Sequence, residues 1–172
     1  MVPEATAAAV ADTGPLHYLV LIGHVGVLPR LFGTVAVPAA VAGELRHPNA
    51  PAAVRAWAAA PPPWLAVHPD PAVPPSLPSL DPGELAAIAL ADALGAGLLL
   101  VDERAGTAAA RGRSLETVGT VGLLSRAAEA RLLDLPGAVT ALRATNFRYP
   151  ANLFDALLDE HRHGATPNDG GP

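Results

Sequence analysis

An α/β fold with a mostly parallel sheet is what this sequence predicts, and three observations carry the prediction. Short apolar runs alternate along the chain with segments of helical character, as strands joined by crossover helices do. One run, Gly97-Leu98-Leu99-Leu100-Val101, is apolar without interruption, which suits a strand covered on both faces. The chain has 172 residues, 51% of them hydrophobic. That is one domain's length, with enough apolar surface to bury ~70% of what the unfolded chain exposes. Aromatic residues make up only 4%, so Ala, Leu and Val must build the core.

The elements follow in order. Ala7-Ala8-Ala9-Val10-Ala11 is a first strand, closed by Asp12-Thr13-Gly14-Pro15. A helix over 16–22 follows with Pro15 at its first position, then a second short helix over about 25–32. Thr34-Val35-Ala36-Val37 is short and rich in Val, a second strand. Pro38 opens a helix over 39–46 that carries Glu44. His47-Pro48-Asn49-Ala50-Pro51 breaks the chain before a short helix around 52–59, and Trp64-Leu65-Ala66-Val67 is a third strand. Prolines 69, 71, 74, 75 and 78 stiffen a surface loop over 68–80.

Asp81-Pro82-Gly83-Glu84 opens the clearest helix. Asp81 is a good N-cap, Pro82 a good first residue, and Glu84 the third residue of a capping box. Residues 85–93 are apolar on nearly every face, so this helix is expected to be buried on several sides. Gly95 and Gly97 end it, and the central strand 97–101 then closes at Asp102-Glu103-Arg104. A helix over 105–111, a strand over 115–118, and helices from 120 to about 133 and over 135–144 complete the alternation. Thr145-Asn146-Phe147-Arg148-Tyr149-Pro150 is a polar and aromatic break before an amphipathic helix over 153–160. The expected organisation is one domain over 1–160 and a disordered tail over 161–172. There is no internal repeat.

Composition removes several chemistries. Cys is absent, so disulfides, thiolate metal sites and cysteine nucleophiles are out. All eleven basic residues are Arg, which removes Schiff bases, the P-loop lysine, the kinase strand lysine and a lysine-dependent phosphotransfer receiver. A net charge of −5 argues against a passive, basic nucleic-acid binder but not against an enzyme that holds phosphates through metal ions. The histidines show no zinc spacing, no serine sits in a Gly-x-Ser-x-Gly setting, and the glycine pairs lack the dinucleotide fingerprint. The N-terminus has no basic leader, and no run reaches 18 apolar residues. The expectation is a cytoplasmic protein without a membrane span.

Asp12 and Asp102 hold equivalent places, each just past the carboxyl end of a strand. In an open parallel sheet those ends share an edge where ligand crevices form. Two carboxylates there repel each other unless a cation lies between them, and hard cations such as Mg²⁺ or Mn²⁺ take oxygen ligands. A plainer reading stands beside this one. Either Asp can be a helix cap or turn residue, and the capping box accounts for Glu84. Glu44 can be an exposed helix residue near Arg46, and Glu103 a solvated neighbour of Asp102.

The ordered series Asp12-Thr13-Gly14-Pro15-Leu16, Val37-Pro38…Glu44-Leu45, Leu80-Asp81-Pro82-Gly83-Glu84…Ala87-Ile88-Ala89-Leu90-Ala91, Leu98 to Gly106, and Gly119-Thr120-Val121-Gly122-Leu123-Leu124 resembles the PIN-domain family. Within it, the series looks like a prokaryotic branch related to the VapC-like toxin ribonucleases. The resemblance implies a three-layer α/β/α sandwich with an acidic pocket that binds Mg²⁺ or Mn²⁺ and hydrolyses RNA, leaving a 5′-phosphate and a 3′-hydroxyl. Matched by motif, the metal-binding and catalytic carboxylates are Asp12, Glu44, Glu84 and Asp102, with Thr13 at the same turn. Many relatives carry Asp in place of Glu84, and this branch often has Asp in place of Glu103. The implied partners are an RNA substrate, an antitoxin protein and a second copy of the chain. The alternative is a PIN-like module that binds RNA or protein without cleaving it.

The sequence itself also gives a motive for dimerisation. Between Leu16 and Phe32 only Arg30 is charged, and surplus apolar surface marks an interface unless both short helices pack inside the domain.

Overall fold

The computed structural model describes residues 9–164, and its elements alternate as the sequence predicts. The strands are β1 (Ala9–Ala11), β2 (Val35–Pro38), β3 (Leu65–His68), β4 (Leu98–Leu100) and β5 (Glu116–Val118). The helices are α1 (Thr13–Leu21), α2 (Val27–Phe32), α3 (Ala39–Leu45), α4 (Ala52–Ala59), α5 (Pro82–Leu94), α6 (Arg104–Gly112), α7 (Thr120–Glu129), α8 (Leu135–Arg143) and α9 (Ala151–Gly164). All strand pairs are parallel, in the order β3-β2-β1-β4-β5.

Strand alternation divides the core between the two faces of the sheet. Ala9, Ala11, Val35, Val37, Leu98 and Leu100 face one way, against apolar residues of α1, α3, α4, α7 and α8. Val10, Ala36, Leu99 and Val101 face the other, against Ala87, Ile88, Leu90 and Ala91 of α5 and Ala110 of α6. This is a three-layer α/β/α sandwich. Small alanines on α5 meet the sheet, so the helix packs close against it in a core poor in aromatic rings.

Three boundaries differ from expectation by three residues or more, for physical reasons. Helix α1 begins at Thr13, three residues earlier than the expected 16, because Asp12 is already extended at its N-cap (ψ 173°) and Pro15 is tolerated within the first turn. Helix α7 ends at Glu129 and not near 133. The Leu132 N–H bonds to the Ala127 carbonyl at 2.8 Å and the Arg131 N–H to the Ala128 carbonyl at 2.9 Å, with Arg131 at φ 58°. That is a Schellman stop. Helix α9 runs to Gly164, so residues 161–164 of the expected tail are helical. His161, Arg162 and His163 fall in its last turn, where positive charge complements the helix dipole. Residues 7 and 8 of the expected first strand and 165–172 of the expected tail lie outside the described residues.

The apolar stretch 16–32 is largely taken up inside the domain. Leu16, Leu19, Val27 and Leu28 are buried, while Val20, Ile22, Val25 and Phe32 are half-buried against the same core. Among the described residues, no helix is long and apolar enough to cross a membrane.

Candidate active site

The strand order reverses between β1 and β4. From β1 the chain moves outward to β2 and β3, then returns to the other side of β1 for β4 and β5. A parallel sheet opens a crevice at such a switch, beyond the carboxyl ends of the two strands. Asp12 follows β1 and Asp102 lies two residues past β4. The Asp12 N–H donates to the Leu100 carbonyl at 2.9 Å, so the sheet itself fixes the two aspartates across the crevice.

Asp12 is only 5% exposed, and its carboxyl pKa is pushed up to about 7. Burial is the main cause. The Thr13 N–H opposes it, and the negative fields of Glu84, Glu44 and Asp102 add to it. All four predicted carboxylates therefore act on one crevice.

Each of the other three is held by the chain. Asp102 accepts two hydrogen bonds at 2.7 Å, from the Thr120 N–H to Oδ1 and from the Thr120 hydroxyl to Oδ2. Burial still raises its pKa, against those two bonds, and the Glu103 charge raises it further. Glu44, on α3, accepts from the Gly83 N–H at 3.1 Å and from the Thr13 hydroxyl. Glu84 accepts from the Asp81 N–H at 3.3 Å, completing the capping box of α5. It is buried, and burial, followed by the charges of Asp81, Glu103 and Glu44, raises its pKa against that bond. Glu84 is thus both a cap and a member of the acidic crevice. Glu103 is exposed at the N-cap of α6 and reaches the site through its field.

Two glycines are needed for these approaches. A Cβ on Gly83 would stand 2.5 Å from both Glu44 oxygens, and one on Gly119 would stand 2.7 Å from Asp102 Oδ1. Thr120, fully buried, and the two glycines are the parts of the site that sequence reasoning left out. It took Thr120 only as the start of a helix. The available signal was the Gly119-Thr120 pair opening a helix directly after the strand beside β4.

The donor set is all carboxylate and hydroxyl oxygen, which suits a hard divalent cation. Positive charge would favour the ionised form of Asp12, which burial first and then its acidic neighbours disfavour. Hydrogen bonds to Glu44 and Asp102 leave each oxygen a further lone pair. As the side chains stand, no three acids or histidines among the described residues are close enough together to hold one metal ion.

A parallel α/β/α sandwich that gathers carboxylates at its switch point is an architecture of hydrolases and phosphotransfer domains alike, and the family match narrows it. The chain belongs to the PIN-domain family: the family model described as PIN domain matches residues 8–163. PIN domains are generally nucleases, hydrolases acting on nucleic acids, and they usually use divalent metal ions. No curated protein and no solved structure gives a significant match.

Proposed function

We propose that this protein is a Mg²⁺- or Mn²⁺-dependent endoribonuclease of the branch related to the VapC-like toxins. It would be the cytoplasmic toxin of a toxin–antitoxin pair and would act as a homodimer. One observation carries the catalytic reading. Burial at the switch point, reinforced by the charges of three carboxylates from three separate elements, raises the Asp12 pKa to about 7. Buried, mutually repelling carboxylates in a cleft mark functional sites.

Asp12, Asp102 and Glu84 would hold the cation, with Glu44 holding a second or orienting water. A cation bound there neutralises phosphate charge and acidifies a water molecule. The residues do the rest. Thr120 keeps Asp102 from turning away from the crevice. Glu44, anchored by Gly83 and Thr13, offers a fixed acceptor for a proton from water. Asp12 must be deprotonated to take part, so protons and the cation compete for it, and activity should fall as pH is lowered.

A second reading, a PIN module that binds RNA or protein without cleaving it, is favoured by the absence of any closed three-ligand cage among the described residues. The deciding experiment incubates purified protein and RNA with Mn²⁺ or with EDTA. The nuclease reading expects cleavage in Mn²⁺ only, lost in Glu84→Gln, because Gln serves the capping box equally well. Undiminished cleavage by Glu84→Gln would return this residue to a purely structural role. No cleavage by wild type would leave the binding module.

A further inference from the structure

Beside Asp102 a groove of about 940 Å³ runs between the start of α6, the β5–α7 junction, Tyr18 of α1 and residues 146–149. Its walls divide by chemistry. Asp102 and Glu103 line it, and so do Arg104, Arg111 and Arg148. Arg113, Arg126, Arg143 and Arg162 each pair with a carboxylate elsewhere. Among the described residues, none of the three groove arginines has an acid within ion-pairing distance. The nearest fixed partner of this kind is neutral, the Thr117 hydroxyl, which accepts from Arg111 at 3.2 Å.

The groove also draws on a scarce resource. The chain has two Tyr and three Phe, and both tyrosines and one phenylalanine line this groove. Tyr18 meets Phe147 edge-on at 4.8 Å, and Phe147 stacks with Tyr149 at 6.3 Å. Tyr149 rests on buried Phe154 at 4.7 Å yet is 36% exposed. The Tyr18 hydroxyl donates to the Asn146 side-chain oxygen at 3.0 Å, which ties the 146–149 segment to α1. An exposed aromatic face on a rigid support, flanked by unpaired guanidinium groups, suits an unstacked base between two phosphates.

We infer that this groove is the strand-holding subsite of the nuclease centre, an inference that rests on the ribonuclease reading above. Tyr149 and Phe147 stack an unpaired base. Arg104, Arg111 and Arg148 hold the neighbouring phosphates and bring the strand to the acidic crevice. The substrate is accordingly single-stranded, because bases inside a duplex have no free face to stack.

The test measures fluorescence anisotropy of a labelled single-stranded RNA with the full chain in EDTA, where binding is read without cleavage. Tyr149→Ala should weaken binding by about 5- to 100-fold, and Tyr149→Phe should restore it. Arg104→Ala with Arg111→Ala should weaken binding and flatten the plot of log affinity against log salt by about 1.4. Both arginines are at the surface, so this variant guards against misfolding of the Tyr149 variant. The same sequence as a duplex should bind at least about 10-fold more weakly and ignore Tyr149→Ala. Single-stranded DNA of that sequence tests whether the sugar matters. Affinity and salt slope unchanged in both variants would overturn the subsite and leave the groove to a protein partner, as would duplex binding equal to the single strand. Cleavage in Mn²⁺ is scored separately. Wild type that binds through Tyr149 but never cuts keeps the subsite and loses the nuclease, whereas wild type that cuts with variants binding normally does the reverse.

Discussion

Asp12 is where burial and like charge meet most sharply. Its pKa rises from 3.8 to about 7, so the folded state holds a proton that the unfolded chain has released over that range. In cation-free solution, stability contributed by the protonated carboxyl is complete below pH 4 and lost as pH rises through 7. At about 1.4 kcal/mol per pH unit this amounts to ~4 kcal/mol. Denaturant titrations in EDTA at pH 5 and pH 8 should show wild type weakening at the higher pH and Asp12→Asn doing so markedly less, the remainder coming from the raised Asp102 and Glu84. The same variant should lose RNA cleavage by on the order of 100-fold or more. Gly119→Ala tests a different residue-level constraint. A methyl 2.7 Å from Asp102 Oδ1 must push that carboxylate off its Thr120 bonds, and activity should fall about 10- to 100-fold while circular dichroism stays native. At this scale the sequence was half legible. Asp12 and Asp102 announced themselves by sitting after apolar strands. Glu44 rested on the family resemblance alone, because helical spacing says nothing about which neighbouring helix a side chain will reach. Thr120 hid behind a role it also performs, that of opening a helix.

Helices were the easier element to read, their ends less so. The capping signal at Asp81 and Glu84 placed α5 correctly, because Pro, Gly and a capping box leave the chain few options there. The end of α7 was harder, because it closes without glycine. Arg131 takes the left-handed position at φ 58°, where a glycine would have been the visible marker. That choice leaves stability unused. Arg131 is exposed and makes no ion pair among the described residues. Arg131→Gly should therefore raise stability by roughly 0.5–1 kcal/mol, the left-handed strain relieved less the added flexibility of glycine. Chemical denaturation would show it as a higher midpoint with an unchanged slope. The end of α9 was misjudged for another reason: His161, Arg162 and His163 look like tail composition until their position against the helix dipole is known.

The whole molecule can be tested through what it binds. A cation that enters only the folded crevice stabilises the native state, and at 100-fold excess over its Kd the melting temperature should rise by roughly 5–10 °C. An unchanged melting curve in millimolar Mn²⁺ would speak for the non-cleaving module. Association is the other global test. With Leu16, Leu19 and Leu28 spent on the internal core, a dimer through this stretch would have to use the half-buried Val20, Ile22, Val25 and Phe32. Sedimentation at micromolar concentration should give a two-fold dimer that Phe32→Glu returns to monomer, while a monomeric wild type would remove the dimer and leave the catalytic reading standing. The strand order also has a consequence in time. Asp12 comes early in the chain, yet the partner it faces belongs to β4, almost ninety residues later by the register that pairs Ala11 with Leu100. Closing so long a loop is slow compared with forming local helices. During synthesis, a chain still short of β4 carries Asp12, Glu44 and Glu84 but lacks the acid that faces Asp12 across the sheet. The acidic crevice is therefore incomplete until the strand order has reversed.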